Sequence, residues 1–176
     1  MSFAKTDITY RQGNNIEPTR ATKESIERYA RSVAETVKFE VGDNPEELAS
    51  AFGGRVHFQD IDDLMLENGS IVVHAPNDFD ISLPHYTSAR RDNFTIAHEL
   101  GHYFLHSQQG TIPIIALRSG STRIEWEANW FGAAVLMPSR EFMEVSKRFD
   151  NNIDYLADHF NVSHDAARIR LESLDG

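Results

Sequence analysis

Asn93-Phe94-Thr95-Ile96-Ala97-His98-Glu99-Leu100-Gly101-His102-Tyr103-Phe104-Leu105-His106 carries H-E-x-x-H inside an apolar run of helical spacing. Successive residues on an α-helix turn by about 100°, so His98 and His102 fall about 40° apart, one turn along a single face. Two imidazoles so placed reach one metal ion. Glu99 falls on the flank of that face, too far round to be a third ligand but close enough to take a proton from an attacking water. That is the layout of a zinc hydrolase. The competing reading is a surface helix with two solvated histidines. Phe94, Ile96, Ala97, Leu100, Tyr103, Phe104 and Leu105 argue against it, since they predict burial and buried histidines need partners.

Two imidazoles and a water do not complete a zinc site, so a third protein ligand is required. A third His six residues after His102 is excluded, because Gln108 stands there. His106 faces the same side as His102, but a straight helix carries it a full turn further along the axis. It is left with three readings: ligand, substrate-side hydrogen bonder, or packing residue. The carboxylates of Glu125-Trp126-Glu127-Ala128-Asn129 sit in a predicted helix from Thr122 to about Met137, closed by Pro138. With Glu125 at zero on the helical wheel, Leu136 lies at about 20°, Asn129 at about 40°, Gly132 at about 340° and Glu127 near 200°. Glu125 thus shares the buried sector and is the better ligand, with Glu127 the alternative. Asn129, one turn on, is placed to accept the free ring N–H of a ligating histidine. Gly132 and Ala133 are small, as two helices sharing one ion require. Trp126 and Trp130 form an i, i+4 pair on another face, read as core packing before a substrate groove.

The 176 residues are 40% hydrophobic and 25% charged, enough for one sizeable core. A net charge of −10 argues against a general nucleic-acid binder, and the absence of cysteine excludes disulfides. No apolar leader and no membrane-length run is present, so a cytoplasmic location is the default expectation. Residues 1–18 are polar and read as a weakly held segment. From about Pro18 an apolar stripe of Ile26, Tyr29, Ala30, Val33, Ala34 and Val37 predicts a core helix. Asp43 or Asn44 as cap, Pro45 in the first turn and Gly53-Gly54 as stop predict a second. Residues 55–58, 70–74 and 79–83 are short β-branched or aromatic runs separated by turn residues, and predict a three-stranded, antiparallel sheet. Asp60-Ile61-Asp62-Asp63 reads as a solvated loop rather than a calcium site.

Ser88 is a plausible cap for the histidine helix, and the loop 107–122, with an apolar stretch from Ile112 to Leu117, is a candidate for the mouth of a cleft. Ser139 is read as the cap of a helix from Arg140 to Phe149. Residues 153–160 and 163–174 then have the look of a helix-turn-helix. Arg168 and Arg170 are offset by Asp165, Glu172 and Asp175, which favours a packing helix pair over direct DNA contact.

The segments Arg91-x-x-Phe94-Thr95-Ile96-Ala97-His98-Glu99-Leu100-Gly101-His102-Tyr103-x-Leu105-His106 and Glu125-x-Glu127-Ala128-Asn129-x-Phe131-x-Ala133-x-x-Leu136-Met137-Pro138 resemble the ImmA/IrrE family of zinc metallo-endopeptidases. Leu156-Ala157-x-x-Phe160-x-Val162-Ser163 resembles the family's tail. The resemblance covers about half of the chain, from Arg91 onward. It implies an α+β fold: a mostly helical zincin-like domain with a small sheet over 19–138, preceded by the polar segment 1–18. Residues 139–176 form a C-terminal helical extension packed on the same domain. It implies a gluzincin-like site with His98, His102 and Glu125 as ligands and Glu99 as general base. Zinc is the expected metal, and manganese also suits a mixed imidazole and carboxylate set. The implied substrate is an Xre-type helix-turn-helix repressor, whose loss releases phage, mobile-element or stress-response genes. The competing function is a binding module that sequesters or remodels a repressor or toxin-antitoxin partner without hydrolysis. Oxyanion donors are open among Tyr103, His106, Tyr86, His85 and Arg90. One departure from the family pattern is Gly132, where an alanine is usual, and it reads as a mild change.

Overall fold

The change of side-chain period at Gly53-Gly54 marks where helix gives way to sheet. The computed structural model describes residues 3–60, 70–117 and 120–176. Helix α1 (Lys23–Thr36) is capped by Thr22 and buries Ile26, Ala30 and Val33. Helix α2 (Pro45–Ala51) has the Asn44 side chain accepting from Glu46 N–H and Pro45 in its first turn, as the sequence predicts. Gly53, at φ +79°, supplies the left-handed residue that turns the chain into the sheet.

The sheet has five strands and is mixed, where the sequence predicts three antiparallel ones. In spatial order they are β1 (Arg11–Gln12), β5 (Ile114–Leu117), β3 (Ser70–Ala75), β4 (Asp78–Pro84) and β2 (Gly54–Gln59). β3 and β4 form an antiparallel hairpin, with Ile71 opposite Ile81 and Val73 opposite Phe79. β2 pairs with β4 in parallel, Val56 beside Ile81, because the chain places β3 on the far side of β4. Consecutive strands usually neighbour one another, and here that expectation fails. The apolar stretch read as the middle of a loop supplies β5, antiparallel to β3. Residues 11–12, read as part of a weakly held polar segment, pair in parallel with β5. Of the acidic cluster 60–63, Asp60 is exposed and the rest lies outside the described residues.

Side chains alternate across the sheet. Ile71, Val73, Phe79, Ile81, Ile114 and Ala116 belong to the core with the helices, and Phe79 stacks on Tyr103 at 4.2 Å. The other face carries His57, His74 and Asp80, covered by the N-terminal segment: Phe3 stacks on His57, the Tyr10 hydroxyl lies 2.7 Å from His74 Nδ1, and Lys5 pairs with Asp78. Helix α3 (Ala89–Gly101) lies beneath the apolar face, capped by Ser88 as predicted. Helix α4 (Arg123–Leu136) packs against α3 and on its far side meets α1.

Helices α5 (Ser139–Arg148), α6 (Ile153–Phe160) and α7 (His164–Asp175) complete the chain. Ser139 is the first residue of α5 rather than its cap. Asn161, in the left-handed conformation, turns α6 into α7. The two arginines of α7 are committed within the chain. Arg170 is buried, with Nε donating to Met137 O and Nη1 to Glu27 on α1; Arg168 pairs with Asp165 and Glu172. Among the described residues no helix is long and apolar enough to cross a membrane.

Candidate metal centre

His98 and Glu99 occupy the last turn of α3, and His102 opens a wider turn, His102–His106, closed by Ser107 N–H donating to His102 O at 2.9 Å. Such i→i+5 turns are rare and recur at functional sites. In the wider turn the His106 ring meets the His102 ring edge to edge, tilted by 48° with centroids 5.0 Å apart and the two Nδ1 atoms 2.9 Å apart.

Two glycines bring α4 close enough to share the site. A Cβ on Gly101 would lie 2.8 Å from Ala128 Cα, and one on Gly132 would lie 2.9 Å from His98 N. Gly132 is therefore a requirement of this approach rather than the mild change the sequence reading takes it to be. Across the contact, Glu125 Oε2 lies 3.1 Å from His98 Nε2 and Oε1 lies 3.4 Å from His102 Nε2, while the two Nε2 atoms are 3.2 Å apart. Ligand atoms about 2.0–2.1 Å from a tetrahedral zinc ion stand about 3.3–3.4 Å from one another, and these contacts, made to the two imidazoles by different oxygens of the one carboxylate, are of that size. The Glu99 carboxylate lies within 4.8 Å of both imidazoles and is fully buried. By distance alone it forms a group with them too; Glu125 reaches the same two imidazoles from the other helix.

The protons also fit a metal. His98 Nδ1 faces Asn129 Oδ1 at 2.7 Å, so a neutral His98 donating there keeps its Nε2 lone pair for the ion.

Glu127 does not reach this cluster, and the reason differs from the one the helical wheel supplies. It too is fully buried. Thr19 and Arg20 lie over its side of α4: Thr19 N–H and Oγ1–H donate to Oε2, and Arg20 N–H and Arg123 Nε donate to Oε1, all at 2.9 Å. His106 Nε2 adds a contact to Oε2 at 3.0 Å. Burial raises this carboxyl, and His106, Thr19 and Arg123 together hold it at about 2. Burial pushes the His106 imidazole down against the opposing pull of Glu127. The His106–Glu127 pair is the part of the site the sequence reading misses. Its only signal was a histidine four residues after His102 and a second glutamate two after Glu125.

Of the oxyanion candidates, Tyr103 accepts from Asn77 N–H, His106 meets His102 and Glu127, and Arg90 pairs with Asp158. Tyr86 and His85 are exposed between β4 and α3. Trp126 is 47% exposed and does not pack in the core, whereas Trp130 is half-buried against the core, with the Arg123 guanidinium over its ring. They line a groove of about 580 Å³ with Phe94 and Met137. A second groove, of about 630 Å³, reaches Glu125 between Ile115–Leu117, Ile16 and the start of α4. The loop expected at a cleft mouth does contribute to it.

The family model described as the IrrE N-terminal-like domain, Peptidase_M78, matches residues 46–172. The chain belongs to the ImmA/IrrE family. That match includes His98, His102, Glu125 and Glu99. Among solved structures, a Mycobacterium tuberculosis transcriptional regulator is similar with a TM-score of 0.61 at 17% identity, over 85% of this chain and 46% of that one. At that identity the likeness shows the fold. The chain thus spans under half the length of that regulator. No curated protein matches it.

Proposed function

We propose that this ImmA/IrrE family member is a zinc-dependent endopeptidase, with His98, His102 and Glu125 holding the metal and Glu99 acting as general base. The observation that carries the reading is the convergence of His98 Nε2, His102 Nε2 and the two Glu125 oxygens at 3.1–3.4 Å, with the buried Glu99 carboxylate beside them. When bound, zinc would polarise the scissile carbonyl and bring the pKa of a coordinated water to about 7. Glu99 removes the proton of the attacking water and passes it to the leaving amine. Asn129 holds the His98 ring, and Gly101 and Gly132 keep α4 at the separation the site needs. The groove that reaches Glu125 along β5 gives an extended polypeptide its path, with Leu117 at its rim.

The substrate class follows from the family: an Xre-type helix-turn-helix repressor, whose cleavage releases phage, mobile-element or stress-response genes. Co-expression with an Xre-type repressor, followed by mass spectrometry, tests it. Wild-type protein should produce new repressor termini. Glu99→Gln should bind one zinc and lose cleavage by about 10²-fold or more. An intact repressor in a stable complex with both proteins would replace the enzyme with a sequestering module.

A further inference from the structure

The two ligand imidazoles are held in different ways, and the difference assigns a role to Glu127. His98 leans on Asn129, a neutral amide. His102 leans on His106, and His106 leans on a carboxylate. An ionised carboxylate only accepts, so His106 Nε2 must carry a proton and donate it to Glu127 Oε2. His106 is buried and Arg123 already matches the Glu127 charge, so one ring proton satisfies this contact and His106 Nδ1 presents a lone pair. The His102 Nδ1 facing it at 2.9 Å must then be the donor. That leaves His102 Nε2 without a proton, directed at His98 and Glu125.

Every hydrogen bond in this chain therefore points the same way. Reversing the His106–Glu127 bond would need a donor on Glu127, whose oxygens already receive Thr19 N–H, Thr19 Oγ1–H, Arg20 N–H and Arg123 Nε–H; reversing the His106–His102 bond would need a second proton on the buried His106 ring. The Thr19 hydroxyl oxygen itself accepts from Ala21 N–H, which directs its proton to Glu127. We propose that His106 and Glu127 are positioning residues that fix the tautomer of His102 for metal binding, and that Thr19 and Arg20 lock that relay from the N-terminal side. The inference rests on His102 being a ligand and adds how its lone pair is selected before any metal arrives.

Two measurements test it separately from catalysis. In metal-free protein labelled with ¹⁵N-histidine, two-bond nitrogen–proton correlations should show His102 protonated at Nδ1 and His106 at Nε2. A His102 protonated at Nε2 overturns the relay. Competition with a chromogenic zinc chelator should show about 10–100-fold weaker binding for Glu127→Gln and for His106→Leu. His106→Gln, whose carbonyl oxygen still accepts from His102, should recover part of that loss. Wild-type zinc affinity in a folded Glu127→Gln protein overturns the proposal, and Thr19→Val, which removes one donor and keeps the buried charge, serves if Glu127→Gln does not fold. If the tautomers are as stated but the wild type binds no zinc, the relay stands and the metal reading falls.

Discussion

His57, His74 and Asp80 on the sheet and His98, His102 and Glu125 between α3 and α4 are both two imidazoles and a carboxylate, largely buried, yet their protons are arranged in opposite ways. On the sheet, each imidazole Nε2 meets its own oxygen of Asp80, at 2.8 Å, and Arg55 adds Nε at 2.7 Å and Nη2 at 3.0 Å. Donors converge on one acceptor, and the charges are settled within the protein. Burial pushes the Asp80 carboxyl up, but Arg55, His74 and His57 more than reverse this and hold it well below the usual carboxylate range. Between the helices the nitrogens face each other at 3.2 Å with a carboxylate as a third acceptor. Acceptors converge there on a point, and a cation is what such a point lacks. Residue composition does not separate a clamp from a metal site; the direction of the protons does.

The largest effect expected from breaking this contrast is on metal binding. His102→Ala removes one imidazole of the site and should weaken zinc by more than the about 10–100-fold assigned to an outer partner. Asp80→Asn should leave zinc affinity unchanged. Chelator titration of both variants decides, and a comparable loss in Asp80→Asn would mean that the clusters are not independent.

Stability should show the reverse order. Asp80→Ala leaves Arg55 and two imidazoles without their acceptor and should cost about 3–5 kcal/mol in urea unfolding of metal-free protein, the range for breaking a buried pair. Acid sharpens the test. A carboxyl held below its unfolded value of about 3.9 gives stability that is complete above that pH and is lost as pH falls towards the folded value. Asp80→Asn should therefore be less stable than wild type at neutral pH and lose stability less steeply below about pH 4. Part of the slope should remain, because Asp78 and Glu127 are also held low. An unchanged slope would show that Asp80 does not carry the charge assigned to it.

What was legible in the sequence divides along the same line. The grouping of His98, Glu99 and His102 was readable because their spacing is local to one helix. The Asn44–Pro45 start and the Ser88 cap were readable because caps are local too. Glu125 was preferred to Glu127 on the premise that only one side of α4 is buried, and that premise fails: both carboxylates are buried, the second beneath Thr19 and Arg20. A wheel describes one helix and holds no record of what the N-terminal segment lays over it. It also assumes constant pitch, so the wide turn at His102–His106 and the contact of His106 with His102 were outside its reach. The parallel pairings of β1 and β2 were hidden for a related reason, since non-consecutive partners leave no local signal.

The smallest expected effect concerns how the sheet cluster is closed. Asp80 Oδ2 accepts from His74 Nε2–H, so His74 Nδ1 is an acceptor, and the Tyr10 hydroxyl at 2.7 Å is its donor while itself accepting from Lys5 N–H at 3.0 Å. Tyr10→Phe deletes that hydroxyl and keeps the ring. The site is only half-buried at Tyr10, so water can replace the lost donor, and the cost should be about 1 kcal/mol in urea unfolding. Zinc affinity should not move. A loss above about 3 kcal/mol would mean that the hydroxyl holds the whole N-terminal segment on the sheet, and a fall in zinc affinity would mean that this segment transmits the loss through Thr19 and Arg20 to Glu127. Either result would join the two clusters that their opposite proton arrangements separate.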